Sequence, residues 1–251
     1  MDAEILHVLQ SGTMEIEGVL PWSSNYAFLV QVCTETTELR AVYKPSRGER
    51  PLWDFPQGTL SSREYSAFLI SDRLGWDLVP PTVLRRGEHG TGSVQLFVDH
   101  DPNQHYFTFE GQPLFRSQLQ KIVLLDVVIN NADRKGGHVI IEENGALAAN
   151  EAENGPGRLW GIDHGICFHH EYKLRTVIWE FAGSAVPQAL LADLRDLGEQ
   201  LASTKSMLRV QLQSLLSDEE ITACQKRIQA LTRSGKFPSP GPGRHYPWPP
   251  V

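Results

Sequence analysis

Cysteine is scarce: Cys33, Cys167 and Cys224 stand far apart in 251 residues, and no CxxC pair occurs. That usage supports neither a disulfide framework nor a thiolate zinc site, and it fits a reducing compartment, the cytoplasm. An uninterrupted apolar run of about 20 residues is missing, and the opening MDAEILHVLQSGTMEIEG has neither a basic region nor a long apolar core, so export and membrane spanning are not expected. Positive charge is in deficit. With 23 Lys and Arg against 30 Asp and Glu the net charge is -7, which argues against broad nucleic-acid binding and stable membrane association. A GxGxxG phosphate loop is absent, as is any internal repeat.

What is present suffices for a sizeable core: 41% of residues are hydrophobic and 21% charged, enough for one large domain or two lobes sharing a cleft. Residues 4–10 read as a short helix. Alternation predicts strands over 13–20 and 26–33, flanking the turn Pro21-Trp22-Ser23-Ser24-Asn25, and over 39–45, which closes on Lys44 and Pro45. Ser61 opens a helix to residue 74, and strand-like segments at 78–84 and 93–98 lead to a polar crossing at 99–102. The stretch 114–129 is apolar nearly all round by its end, as for a helix buried at the centre of a lobe. Beyond residue 187 three leucine-rich stripes predict helices, the last started by Ser217-Asp218-Glu219-Glu220. The final GKFPSPGPGRHYPWPPV, residues 235–251, is too rich in Pro and Gly for a packed element and reads as an extended tail.

The chemistry concentrates in residues 124–165. Asp133 lies in the polar loop that ends the buried helix, Asp163 ends the second of two short strands (138–141 and 158–162), and His138 stands between them. Phosphoryl transfer needs positioned charge more than covalent help: one carboxylate near the attacking hydroxyl, another on a metal that bridges the phosphates. Lys44, at a strand end, is a candidate phosphate contact. Taken singly, each residue also has an ordinary reading. Asp133, Ser23, Ser24 and Asn25 can be turn formers, Lys44 a solvated lysine, His138 a hydrogen-bonded interior histidine, and Glu64, three after Ser61, half of a capping box.

In their order, Lys44, Glu64, Asp133 and Asp163 resemble the bilobal protein-kinase-like fold, and more closely its atypical branch, the phosphatidylinositol 3- and 4-kinases and HipA-type kinases. Asp133-Arg134-Lys135-Gly136-Gly137-His138 is similar to that branch's catalytic loop, and Ile162-Asp163-His164-Gly165 to its metal-binding strand end. The whole chain resembles a small bacterial family distantly related to these lipid kinases. The resemblance implies an α+β architecture, with a β-rich N-lobe over residues 1–98, a mainly helical C-lobe over 99–234 and the tail beyond. It implies ATP as donor: Lys44 on the phosphates and paired with Glu64; Ser23, Ser24 and Asn25 at the phosphate tail; Gln95, Leu96, Phe97 and Val98 beside the adenine. Asp133 would handle the proton of the acceptor hydroxyl, Asp163 would bind the divalent metal, Mg or Mn, and Asn131 would support the loop.

The departure is His138, where the family expects a metal-binding Asn. Imidazole prefers borderline metals, so activity higher with manganese than with magnesium is expected. Arg134, Lys135, Lys173 and Arg175 follow the two site aspartates and suggest an anionic hydroxyl acceptor. Two alternatives stay open: a nucleotide-binding pseudokinase that docks a protein partner through its C-terminal helices or tail, and an AMP transferase on the same fold.

Overall fold

The computed structural model describes residues 3–20, 25–142 and 157–251. Five antiparallel strands form the N-lobe: β1 Thr13–Val19, β2 Phe28–Cys33, β3 Glu38–Pro45, β4 Thr82–Gly87 and β5 Gly90–Leu96, in the spatial order β1-β2-β3-β5-β4. Alternation sets which face is buried. In β2, Phe28, Val30 and Val32 point into a core shared with Ala41, Tyr43, Val83 and Val94, and helix α1 (Ala3–Ser11) closes it with Val8 and Leu9.

Two boundaries move from their sequence expectation for stated reasons. The strand expected from residue 78 begins only at Thr82, because Pro80 and Pro81 have no amide to give a ladder. The amides of Leu78 and Val79 go instead to the Ser71 hydroxyl, at 2.9 and 3.2 Å. The helix expected from Ser61 is α2 (Leu60–Arg73), with Thr59 as its N-cap residue. Ser61 is therefore inside the helix, and the capping-box reading of Ser61 and Glu64 fails; Ser61 Oγ meets Ser46 Oγ at 2.7 Å.

The C-lobe is mainly helical. It contains α3 (Tyr106–Phe109), which falls in a stretch with no sequence-level helix signal, α4 (Arg116–Ile129), a two-stranded ribbon of β6 (Val139–Ile141) and β7 (Leu159–Gly161), and α5 (Gln188–Ala202), α6 (Met207–Gln213) and α7 (Asp218–Ser234). Helix α4 is buried on all sides from Ile122 onward, and α2, although N-lobe in sequence, puts Ala67, Phe68 and Ile70 into the same large core. The two lobes are thus joined through α2 as well as through the crossing after β5.

Residues 235–251 do not lead away from the body, which corrects the expectation of an unpacked tail. Gly235 takes the left-handed conformation (φ 61°) that ends α7, and Phe237 buries itself against Phe181. The Thr176 amide donates to the His245 carbonyl at 3.1 Å, and the Gly136 amide to the Pro250 carbonyl at 2.7 Å. Proline and glycine exclude a helix or a central strand there; they do not exclude docking an extended segment by its carbonyls.

Candidate active site

The site begins at the C-terminus of α4. Asn130 ends the helix in the left-handed conformation (φ 54°), which asparagine tolerates, and its side chain ties down the carbonyls of His169 and Glu171 and the amide of Lys173. Asn131 turns the chain next: its Nδ2 donates to Asp126 and its Oδ1 accepts the Asp133 amide at 2.9 Å. Arg134 points inward, fully buried. It donates to both carboxylate oxygens of Asp126, to the carbonyls of His138 and Ile162, and to Nε2 of His164. One guanidinium thereby fixes the distance between the loop at 133–138 and the strand end at 162–164.

Asp133 is left at the cleft with 26% of its side chain exposed. Burial pushes its carboxyl up to about 6, against the opposing pull of Lys135, whose Nζ is 3.6 Å away. Opposite it, Asp163 holds a positive φ of 59°, a conformation that aspartate tolerates better than branched residues. Its Oδ1 accepts from Lys44 Nζ at 3.0 Å, and its Oδ2 faces His138 Nε2 at 3.3 Å. The Lys44 ammonium holds the Asp163 carboxyl far below the usual range. Lys44 in turn bonds Glu64 Oε1 at 2.5 Å, while Glu64 Oε2 accepts the His164 amide. Burial alone would lower the lysine, but Asp163 and Glu64 outweigh it and raise it. Burial also raises Glu64 against the pull of Lys44.

His138 decides what the site can hold. Its Nδ1 lies 2.9 Å from the Asp133 carbonyl, which can only accept, so Nδ1 carries the proton. Burial drives the imidazole down to about 4, so it is neutral at physiological pH. Nε2 then presents a bare lone pair toward a carboxylate oxygen, two acceptors 3.3 Å apart with no proton between them. A cation between them resolves that conflict, and a ring N–H held by a backbone carbonyl is the usual support of a metal-binding histidine. Asp163 and His138 therefore fit a divalent ion as a two-residue set; among the described residues no group of three or more His, Cys, Asp or Glu is arranged for one. Such a set suits a metal that takes its remaining ligands from phosphate and water.

Two cavities meet at this point. One of about 310 Å³ runs between Ala27 and Val42 on one side and Ile140 and Ile162 on the other, bordered by Gln95, Leu96, Phe97 and Val98, and reaches His138 and Asp163. A smaller one of about 40 Å³ joins Asp133, Asp163, Lys44 and Glu64 to Asn25 and Glu49. Lys44, Glu64, Asp133, His138, Asp163 and residues 95–98 thus surround one cleft. Asn25 is at its edge, with Oδ1 accepting the Arg50 amide at 2.8 Å, whereas Ser23 and Ser24 lie outside the described residues. Of the four cations named from sequence, three are engaged: Arg134 by Asp126, Lys173 by Asp54 and Glu171, and Lys135 beside Asp133. Sequence reasoning passed over Asp126. Its signal was a lone carboxylate in the apolar run VLLDVV, which a buried helix tolerates only with a buried cation such as Arg134.

The family model described as phosphatidylinositol 3- and 4-kinase matches residues 85–216. Protein Rv2133c of Mycobacterium tuberculosis is 34% identical over 275 residues, covering 96% of this chain and 94% of its own length. Phosphatidylinositol 4-kinase gamma 4 of Oryza sativa subsp. japonica is 30% identical over 132 residues, 47% of this chain but 22% of the plant protein. Among solved structures, the Helicobacter pylori proinflammatory kinase CtkA aligns with a TM-score of 0.48 at 10% identity, over 91% of this chain and 94% of its own.

Proposed function

Because the chain belongs to the phosphatidylinositol 3- and 4-kinase family, we propose that it is an ATP-dependent phosphotransferase that moves the γ-phosphoryl group of ATP to a hydroxyl of an acceptor. The observation that carries the reading is the arrangement around Asp163, with a lysine on one oxygen and the lone pair of a neutral histidine facing the other.

In this reading the apolar cleft beside residues 95–98 takes the adenine and Lys44 takes the α- and β-phosphates, with Glu64 holding its ammonium in place. Asp163 and His138 would hold the divalent ion, which when bound neutralises phosphate charge. Asp133, poised near 6, orients the acceptor hydroxyl and receives its proton as the new ester bond forms and the bond to the leaving ADP breaks. The local cations give an anionic acceptor little support, since three of the four already have acidic neighbours. The reading therefore specifies a hydroxyl and leaves its carrier open to an acceptor screen.

The test is ADP release by the purified protein with manganese and with magnesium, for the wild type and Asp133→Asn. Release that depends on Asp133 supports phosphoryl transfer, whereas AMP or pyrophosphate would mean nucleotidyl transfer. Nucleotide binding with no turnover across a panel of hydroxyl acceptors would leave a pseudokinase. The imidazole ligand further predicts more activity with manganese, and a loss of that advantage in His138→Ala. Equal rates with both metals, together with a wild-type-like His138→Ala, would reject the ligand role.

A further inference from the structure

Arg63 stands next to Glu64 on α2 and also reaches into the C-lobe, with 1% of its surface exposed. A buried arginine at that position is costly unless its donors are used; Nε donates to Thr59 Oγ1 at 3.3 Å, and the other two nitrogens reach beyond α2. Nη1 donates to the Cys167 carbonyl at 2.6 Å, four residues after Asp163. Nη2 donates to Glu220 Oε1 at 2.6 Å, and the guanidinium lies 4.8 Å over the Phe55 ring. Glu220 is itself fixed. Its Oε2 accepts the Ser217 amide at 2.9 Å in the capping box that starts α7. Successive side chains of α2 thus grip the C-lobe on two sides: Glu64 through the His164 amide, Arg63 through Cys167 and α7.

We propose that Arg63 and Glu220 are positioning residues that clamp α2 against the C-lobe, so that the Lys44–Glu64 pair is held formed without nucleotide and without a partner protein. The consequence for nucleotide binding rests on the phosphotransferase reading above; the clamp itself does not. A helix that carries the lysine's partner can control a site only if it can move, and here α2 is fixed at the consecutive residues Arg63 and Glu64 by buried, charge-assisted hydrogen bonds rather than by solvent-facing contacts. Neither residue touches the cleft, so their effect passes through the placement of Glu64.

The experiment compares the full-length wild type with Glu220→Gln, which keeps the capping acceptor and removes the charge, and with the double variant Arg63→Met/Glu220→Gln, which leaves no unpaired buried charge and so preserves folding. Three readings are taken: amide exchange over residues 60–66, acylation of Lys44 by an amine reagent, and affinity for manganese-ATP. In the folded double variant, exchange and Lys44 acylation should each rise by roughly tenfold and nucleotide affinity should fall by about the same factor. Unchanged exchange and acylation in a folded double variant would overturn the clamp. A loosened helix with wild-type nucleotide affinity would overturn the positioning role and leave Arg63 as packing. If the wild type binds no nucleotide, it is the phosphotransferase reading that falls, and the exchange and acylation readings decide the clamp by themselves.

Discussion

On the phosphotransferase reading, Asp133 puts stability and chemistry in opposition. Its folded-state value, about 6, lies above that of an ordinary aspartate, so the native protein holds a proton that the unfolded chain has already released between about pH 4 and 6. Stability therefore falls as pH rises through that window, and the ionised form needed to accept a proton is the one the fold disfavours. Asp133→Asn should make the metal-free protein more stable by on the order of 2 kcal/mol at pH 7, with the gain gone below about pH 4, as read by urea melts at both pH values. The same substitution should cut turnover by about 100-fold or more. In the wild type, kcat/KM should decline as pH drops through about 6, following loss of the Asp133 carboxylate. A flat profile between pH 5 and about 8 would exclude Asp133 as the base. Asp163 calls for a different substitution: at a φ of 59°, Asn keeps the backbone preference that Ala lacks. Asp163→Asn should therefore retain the melting temperature within a few degrees while manganese-dependent nucleotide binding is lost, measured by calorimetric titration.

Between elements, the loop at 133–138 and the strand end at 162–164 keep their spacing through Arg134 and Asp126, both essentially without solvent exposure. Breaking such a pair strands a buried charge. Arg134→Met should cost roughly 3–5 kcal/mol in denaturant unfolding, and the double variant Arg134→Met/Asp126→Asn should recover a large part of it. This level also marks how far the sequence could be read. Strand alternation placed β1 to β3, the leucine stripes placed α5 to α7, and the spacing of Asp133, His138 and Asp163 marked one loop-and-strand unit, because each is a local pattern. Local patterns do not say where a side chain goes afterwards. Arg134 looked like a substrate-side cation and is an interior rivet, Ser61 looked like a cap and lies inside its helix, and nothing near residue 63 announced a partner 157 positions away. The His138 tautomer was equally out of reach, since it is set by a carbonyl folded back from residue 133.

At the scale of the molecule, the cleft is lined by a sheet and a helical body that share α2, and the segment after α7 returns across the C-lobe to the loop at 133–138. Deleting residues 245–251 removes the acceptors of the Gly136 and Thr176 amides. Faster hydrogen exchange is expected at 134–138 and 176, with the far-UV circular dichroism unchanged because no helix is lost. Exchange unaltered at those amides would mean that the loop keeps its shape unaided. The return of the chain also bears on the order of synthesis. Lys44, Asp133, His138 and Asp163 leave the ribosome well before Glu220 and Pro250, the residues that brace α2 and the loop. A nascent chain thus carries these cleft side chains before the residues that fix their positions, and the cleft takes its described shape only once both braces have been added.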